Sequence, residues 1–238
     1  MEESDEVQRL ASLSQKEIDA EVQRLLGCDL KALRAAPPLP EAPLLPTEWT
    51  AAQVLRKTQA FVSSFGYDHV GEQYGLSVQR AVLCKKRDRG LAHVTHIAKE
   101  LCREGLPIRC VDAVFLAIYL TTGRQGMQRF PLSFRTRQNG KSFAHIVMAV
   151  KANELWGSLG ISRRRTLGFK PLRFAKLSHL VAEFRRSYED IGHSVEKVIV
   201  GLPVSHDIFS KAPVQWRALR LNTFPRTAKQ GGAGGAGG

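Results

Sequence analysis

The sequence has no apolar run near the roughly 20 residues that a membrane-crossing helix needs, which argues against a helical membrane protein. It has only four cysteines in 238 residues, Cys28, Cys84, Cys102 and Cys110, and no CxxC pair. That spacing speaks against a zinc ribbon. The opening stretch Met1–Glu6 is acidic, so no secretory signal is visible, and four cysteines without a signal read as thiols in a reducing compartment. No internal repeat is apparent. Aromatic residues make up 8%, and none falls within Lys85-Lys86-Arg87-Asp88-Arg89 or Arg163-Arg164-Arg165. RNA recognition wants aromatic faces interleaved with the cations, so nucleic acid ranks behind other acidic partners. Acidic residues are scarce too: 22 against 35 Lys plus Arg, a net charge of +13.

That charge is the strongest positive signal. A chain this basic should seek an acidic partner, whether nucleic acid, an anionic membrane surface or an acidic peptide. The charge is unevenly placed. Residues 1–46 hold nine acids and five bases, a net −4, so the remainder carries +17. With 43% hydrophobic and 24% charged residues the composition is otherwise globular.

The local patterns suggest α+β. Ser14 and Glu17 form a capping box before the apolar set Ile18, Val22, Leu25 and Leu26, and five prolines between Pro37 and Pro46 then read as an extended linker. Thr50 is a plausible N-cap for a helix ending at Gly66, and Leu91–Arg103 is a helix stopped by Gly105 and Pro107. Residues 85–90 form a basic turn, and Cys110–Thr121 is apolar nearly all round, as a buried helix is. Beyond Gly123 the period changes. Pro131–Arg137 alternates as a strand, Asn139-Gly140 signals a hairpin, and Phe143–Val150 returns. Residues 155–162 read as a glycine-punctuated loop, Leu177–Tyr188 as a helix with Ser178 a weak cap, and Val195–Val200 as a strand. The expected organisation is an acidic helix and Pro-rich linker over 1–46, a helical lobe over 47–123, a sheet-containing lobe over 124–226 and a Gly/Ala-rich tail over 227–238.

One pair could do chemistry. Cys110 stands where a helix begins, beside Arg109, and helix-end N–H groups and a neighbouring cation both favour a thiolate. A lone Cys before an apolar helix is more often a small buried hydrophobe. His145 lies on the returning strand, and a cysteine with a downstream His base is the general thiol-hydrolase arrangement. Taken alone, a structural His is the commoner outcome, and seven histidines cannot be separated by spacing.

Several linked segments shift that balance. The run from Leu106-Pro107-Ile108-Arg109-Cys110 to Thr121 resembles the nucleophile segment of the vasohibins, the tubulin tyrosine carboxypeptidases. Arg129–Arg135, Phe143–Val147, Leu159–Arg164 and Val204–Asp207 resemble the family's later blocks, in its order, and Tyr67-Asp68-His69-Val70-Gly71 resembles its Tyr-Asn-His-Thr-Gly loop. The similarity spans roughly residues 50–217.

The resemblance implies a transglutaminase-like cysteine protease fold, a helical N-terminal lobe followed by a mainly antiparallel sheet. It implies Cys110 as nucleophile, His145 as base and Ser162 as the third member, with Tyr67 lining the site. Arg109 and Arg163 match the residues that bind the substrate's terminal carboxylate, and Arg135 falls in the basic groove. It implies no metal or organic cofactor. The implied partners are the acidic α-tubulin tail or microtubules and a short helical chaperone, the small vasohibin-binding protein. The implied location is cytoplasmic and microtubule-associated. Guanidinium forks suit carboxylates, which agrees with these roles. Three departures stand out: Arg109 replaces a Lys, Ala144 replaces an Arg, and the stretch from Cys84 to Gly90 is longer and more basic. Two other readings fit the same residues, a transglutaminase-like acyltransferase and a non-catalytic basic module for microtubules or nucleic acid.

Overall fold

The computed structural model describes residues 39–69, 90–210 and 212–222, with Ser14, Lys16, Glu17, Ala20 and Arg24 before them. The apolar helix face at 18–26, the basic turn at 85–89 and the Gly/Ala tail fall outside the described residues. The chain divides into two compact units, 1–39 and 40–238. In the first, the expected capping box is present: Glu17 Oε2 accepts from the Ser14 N–H at 2.8 Å and from its hydroxyl at 2.6 Å.

The second unit begins with three helices, α1 (Ala51–Ser64), α2 (Leu91–Glu104) and α3 (Cys110–Thr121). Thr50 caps α1 through a capping box with Gln53, and Gly105 ends α2 in the left-handed conformation that a Cβ would strain. Six strands follow: β1 (Met127–Gln138), β2 (Lys141–Ala152), β3 (Leu155–Leu159), β4 (Lys170–Phe174), β5 (Ser194–Val200) and β6 (Leu219–Asn222). They form one antiparallel sheet in the order β4-β3-β2-β1-β5-β6. A 3-10 turn, Arg165–Leu167, precedes β4, and helix α4 (Leu177–Glu189) precedes β5. The fold is α+β with the helical region ahead of the sheet.

The period-2 alternation of the strands gives the sheet two apolar faces. On one face, Ile146, Met148 and Val150 of β2 join Val54, Leu55, Val94, Leu101, Phe115 and Ile118 of the three helices. On the other, Leu132, Phe134, Val147 and Val198 pack against Leu180, Phe184 and Tyr188 of α4. The apolar stripes of α1 and α2 are spent in this core, since Val62 and Ala98 are fully buried. They are not the exposed stripes that would mark a docking site for a helical chaperone.

Two polar fixtures, one buried and one half-buried, tie the start of β1 to its surroundings. The Arg129 guanidinium is fully buried and donates to the carbonyls of Ile118, Val204 and Ser205 and to the Thr122 hydroxyl. Burial holds its pKa down to about 10, so it stays charged. His206 Nε2 donates to the Met127 carbonyl at 2.7 Å, and its Nδ1 accepts from the Gly123 N–H at 3.1 Å.

Sequence and structure part company at a few elements. Residues 155–159 are a strand, not a loop; their partner hairpin turns at Asn153-Glu154, both at positive φ and neither a glycine. Gly157 belongs in that strand because a Cβ there would lie 2.7 Å from the Lys170 carbonyl of β4. Helix α4 starts after Lys176 with no side-chain cap, which leaves Ser178 inside its first turn.

Candidate active site

Cys110 is the first residue of α3, where backbone N–H groups lack helical acceptors. The turn leading in is tightly held. The Arg109 N–H donates to Asp112 Oδ2 at 2.9 Å, and Asp112 is buried in the first helical turn. Just upstream, the Ile108 N–H donates to the Gly66 carbonyl at 3.2 Å and the Ile108 carbonyl accepts from the Asp68 N–H at 2.9 Å. This short parallel bridge lays Tyr67 alongside the nucleophile segment. Gly66 makes the approach possible at φ 71°, straight after α1. Arg109 Nε then reaches Asp68 Oδ2 at 3.1 Å.

Four of the sequence-predicted residues meet here. The Arg163 guanidinium lies 5.7 Å from the centre of the Tyr67 ring. The Tyr67 pKa is pushed up, first by burial and then by the negative charge of ionised Cys110; the charge and hydrogen bond of Arg163, and the charge of Arg109, pull it back. Tyr67, Arg109, Cys110 and Arg163 thus share one electrostatic neighbourhood. Tyr67 there is a neutral phenol, able to donate.

His145 comes from β2, directly across from Phe134 of β1 and on the sheet face that α4 covers. Its Nε2 lies 2.8 Å from the Leu167 carbonyl. A carbonyl only accepts, so Nε2 carries the proton and the Nδ1 lone pair is left as the basic atom. Burial drives the His145 pKa down to about 4, although the bond to Leu167 works the other way, so the ring is neutral at pH 7. The Phe134 ring across from His145 lies 5.4 Å from the ring of Tyr188, whose pKa is raised by burial and by the charge of Cys110.

The Ser162 side chain bonds within its own turn. Its hydroxyl accepts from the Arg164 N–H at 3.4 Å, whereas the hydrogen bond that fixes the His145 ring comes from the main chain of Leu167. Side-chain patterns could not have flagged Leu167, because the acceptor is a peptide oxygen.

Arg135 is exposed on β1, one position along from Phe134. Its neighbours across the strands are Ala144 on β2 and Lys197 on β5. Like charges directly opposed on a sheet repel one another. Lys197 was missed in the sequence because its meeting with Arg135 depends on the β1–β5 register, which bulges at Arg135/Thr136.

The vasohibin family model matches residues 6–230. The chain belongs to the vasohibin family. It is 36% identical over 180 residues to mouse tubulinyl-Tyr carboxypeptidase 1, an alignment that covers 76% of this chain and 46% of that relative. This vasohibin chain thus spans about half the length of the curated relative it matches. Among its described residues, no group of three or more His, Cys, Asp or Glu side chains is placed to hold a metal ion, and no helix is long and apolar enough to cross a membrane.

Proposed function

We propose that this vasohibin chain is a thiol carboxypeptidase that removes the terminal tyrosine from the acidic C-terminal tail of α-tubulin, acting in the cytoplasm on tubulin or microtubules. One observation carries the reading: Cys110 at a helix start shares its neighbourhood with Tyr67, Arg109 and Arg163, a thiol beside two guanidinium forks of the kind that suits a carboxylate. The substrate's terminal carboxylate pairs with Arg163 and Arg109. Its peptide carbonyl then faces Cys110.

His145 Nδ1 takes the thiol proton, and the Cys110 sulfur attacks the carbonyl of the penultimate residue. The oxyanion is met by the Cys110 N–H and the Tyr67 hydroxyl. The tetrahedral adduct collapses, His145 returns the proton to the leaving amine, and tyrosine departs. Water, deprotonated by His145, then hydrolyses the thioester and restores the thiol. Leu167 holds the imidazole tautomer throughout, the part given to Ser162 by family resemblance. The +17 body favours an acidic tail. Because the α1 and α2 stripes lie in the core, a small helical partner would have to dock elsewhere.

Mass spectrometry of an α-tubulin tail peptide, incubated with the full chain, tests this. Loss of the terminal tyrosine is expected, with no loss for Cys110→Ala. An amine adduct at the penultimate residue would instead show acyl transfer. An unchanged peptide, or equal release by Cys110→Ala, sinks the reading.

A further inference from the structure

The segment from Gly160 to Gly168 carries three groups of the candidate site: Ser162, Arg163 and the Leu167 carbonyl. Its two ends touch. A Cβ on Gly168 would lie 2.7 Å from the Gly160 carbonyl oxygen, and a Cβ on Gly160 would lie 2.9 Å from Val147 Cγ1. The segment is therefore a compact loop closed by two glycines whose backbones meet, a shape that needs its buried peptide groups satisfied at the neck.

Each end has its own clamp. At the far end, the fully buried Ser158 hydroxyl donates to the Gly168 carbonyl at 3.0 Å, next to Leu167. At the near end, Gln59 of α1 reaches across 101 positions in sequence and makes two bonds to one residue, bridging the peptide groups on either side of it. Its Nε2 donates to the Gly160 carbonyl at 2.9 Å, and its Oε1 accepts from the Gly160 N–H at 3.0 Å. The amide orientation is fixed by its partners, since the N–H requires the oxygen and the carbonyl requires the nitrogen. The same Nε2 donates to Ser63 Oγ at 2.9 Å, which steadies the side chain along α1. Gln59 thus pairs with Gly160 as a neighbouring strand would, just where β3 has ended.

We propose that Gln59 is a positioning residue of the carboxylate-binding half of the site, acting through Gly160 on Arg163. This rests on the carboxypeptidase reading above. Arg163 is exposed and three residues from Gly160; Tyr67 holds its guanidinium, and Gly160 anchors the backbone from which it reaches. Ser158 secures the Leu167 end separately. Loss of Gln59 should therefore loosen the reading of the substrate carboxylate and leave His145 oriented. A glutamine that merely stapled α1 to the sheet would lower stability without touching that reading.

The test uses the full chain in the Cys110→Ala background. Binding of an acidic tail peptide with a free terminal carboxylate is compared with its C-terminal amide, for the parent and for Gln59→Leu and Gln59→Glu. The parent should prefer the carboxylate. Two net hydrogen bonds together are worth on the order of 1.4 kcal/mol, so Gln59→Leu should lose about tenfold of that preference and Gln59→Glu, which keeps the bond from the Gly160 N–H, about threefold. Hydrogen exchange should quicken by about tenfold at 160–165 and stay unchanged in β1 and β2. With Cys110 restored, KM should rise by the same factor and kcat should stay within about twofold. Retention of the full preference in both folded variants overturns the proposal, as does an equal loss of kcat. A parent that binds acid and amide alike overturns the carboxypeptidase reading itself, and the proposal falls with it. Should Gln59→Leu fail to fold, Gln59→Glu keeps the size and one acceptor and decides alone.

Discussion

Arg109 Nε lies 3.1 Å from Asp68 Oδ2, so the cation next to the nucleophile already has an anion beside it. The family loop that this segment resembles has Asn where Asp68 stands. A carboxylate there competes with the substrate's own carboxylate for Arg109. The Arg109 side chain is 40% exposed, which limits such a pair to about 0.2–1 kcal/mol. Asp68→Asn should therefore lower KM for a tail peptide by about two- to fivefold, with kcat nearly unchanged. Steady-state kinetics at low salt would show it, and a raised KM would mean that Asp68 orients Arg109 instead of competing for it.

His145 makes stability depend on pH in a defined window. Its pKa is about 4 in the fold against an ordinary value near 6.5 in the unfolded chain. Between those values the unfolded chain binds the extra proton, so stability is whole above about pH 6.5, falls as the pH drops to about 4, and is level below that. Part of the residue's surface remains accessible, which reduces the size to on the order of 2 kcal/mol. His145→Gln should flatten most of the slope in urea midpoints taken from pH 7 to 4. Some slope should persist, because burial and the charge of Arg129 also depress the pKa of His206. An undiminished slope in His145→Gln would place the proton elsewhere.

Arg129 offers a test of the frame that carries the site. Its guanidinium joins the last turn of α3 to residues 204–205, so it fixes the helix that begins at Cys110. Replacing a buried ion by an apolar residue is sometimes neutral. Here the carbonyls of Val204 and Ser205 and the Thr122 hydroxyl would lose a donor, while the Ile118 carbonyl keeps the Thr122 hydroxyl, and each orphaned buried acceptor costs roughly 1–3 kcal/mol. Arg129→Met should accordingly lower stability by about 3 kcal/mol or more, and Arg129→Lys somewhat less, as read from denaturant midpoints. An unchanged midpoint for Arg129→Met would show that water can replace the guanidinium.

Local chemistry made much of this fold readable in advance. Thr50 and Gly105 mark real helix ends because caps act within a turn, and Asn139-Gly140 closes β1 onto β2 because that pair accepts positive φ. Strand β3 was hidden because Gly157, a loop signal in sequence, is required by the approach of β4. The site divides in the same way. Cys110, Tyr67, Arg109 and Arg163 were visible as side chains in motif order. Leu167 contributes only a carbonyl, and Gln59 and Lys197 matter only through partners far away in sequence, so no local pattern reveals them.

Lys197 and Arg135 lead to a prediction whose two readouts have opposite signs. They are directly opposed on β5 and β1, both exposed, with Ala144 next in the row on β2. Like charges so placed cost the free protein a few tenths of a kcal/mol to about 1 kcal/mol. Removing one should therefore stabilise it: Lys197→Ala should leave the melting temperature unchanged or slightly raised. If the pair serves an acidic tail, the same substitution should weaken peptide binding about two- to fivefold at low salt, and the loss should shrink as ionic strength rises and screens exposed charges. A stabilised variant that binds the tail as well as the parent would move the acidic peptide off this part of the sheet and leave Arg109 and Arg163 as its anchors.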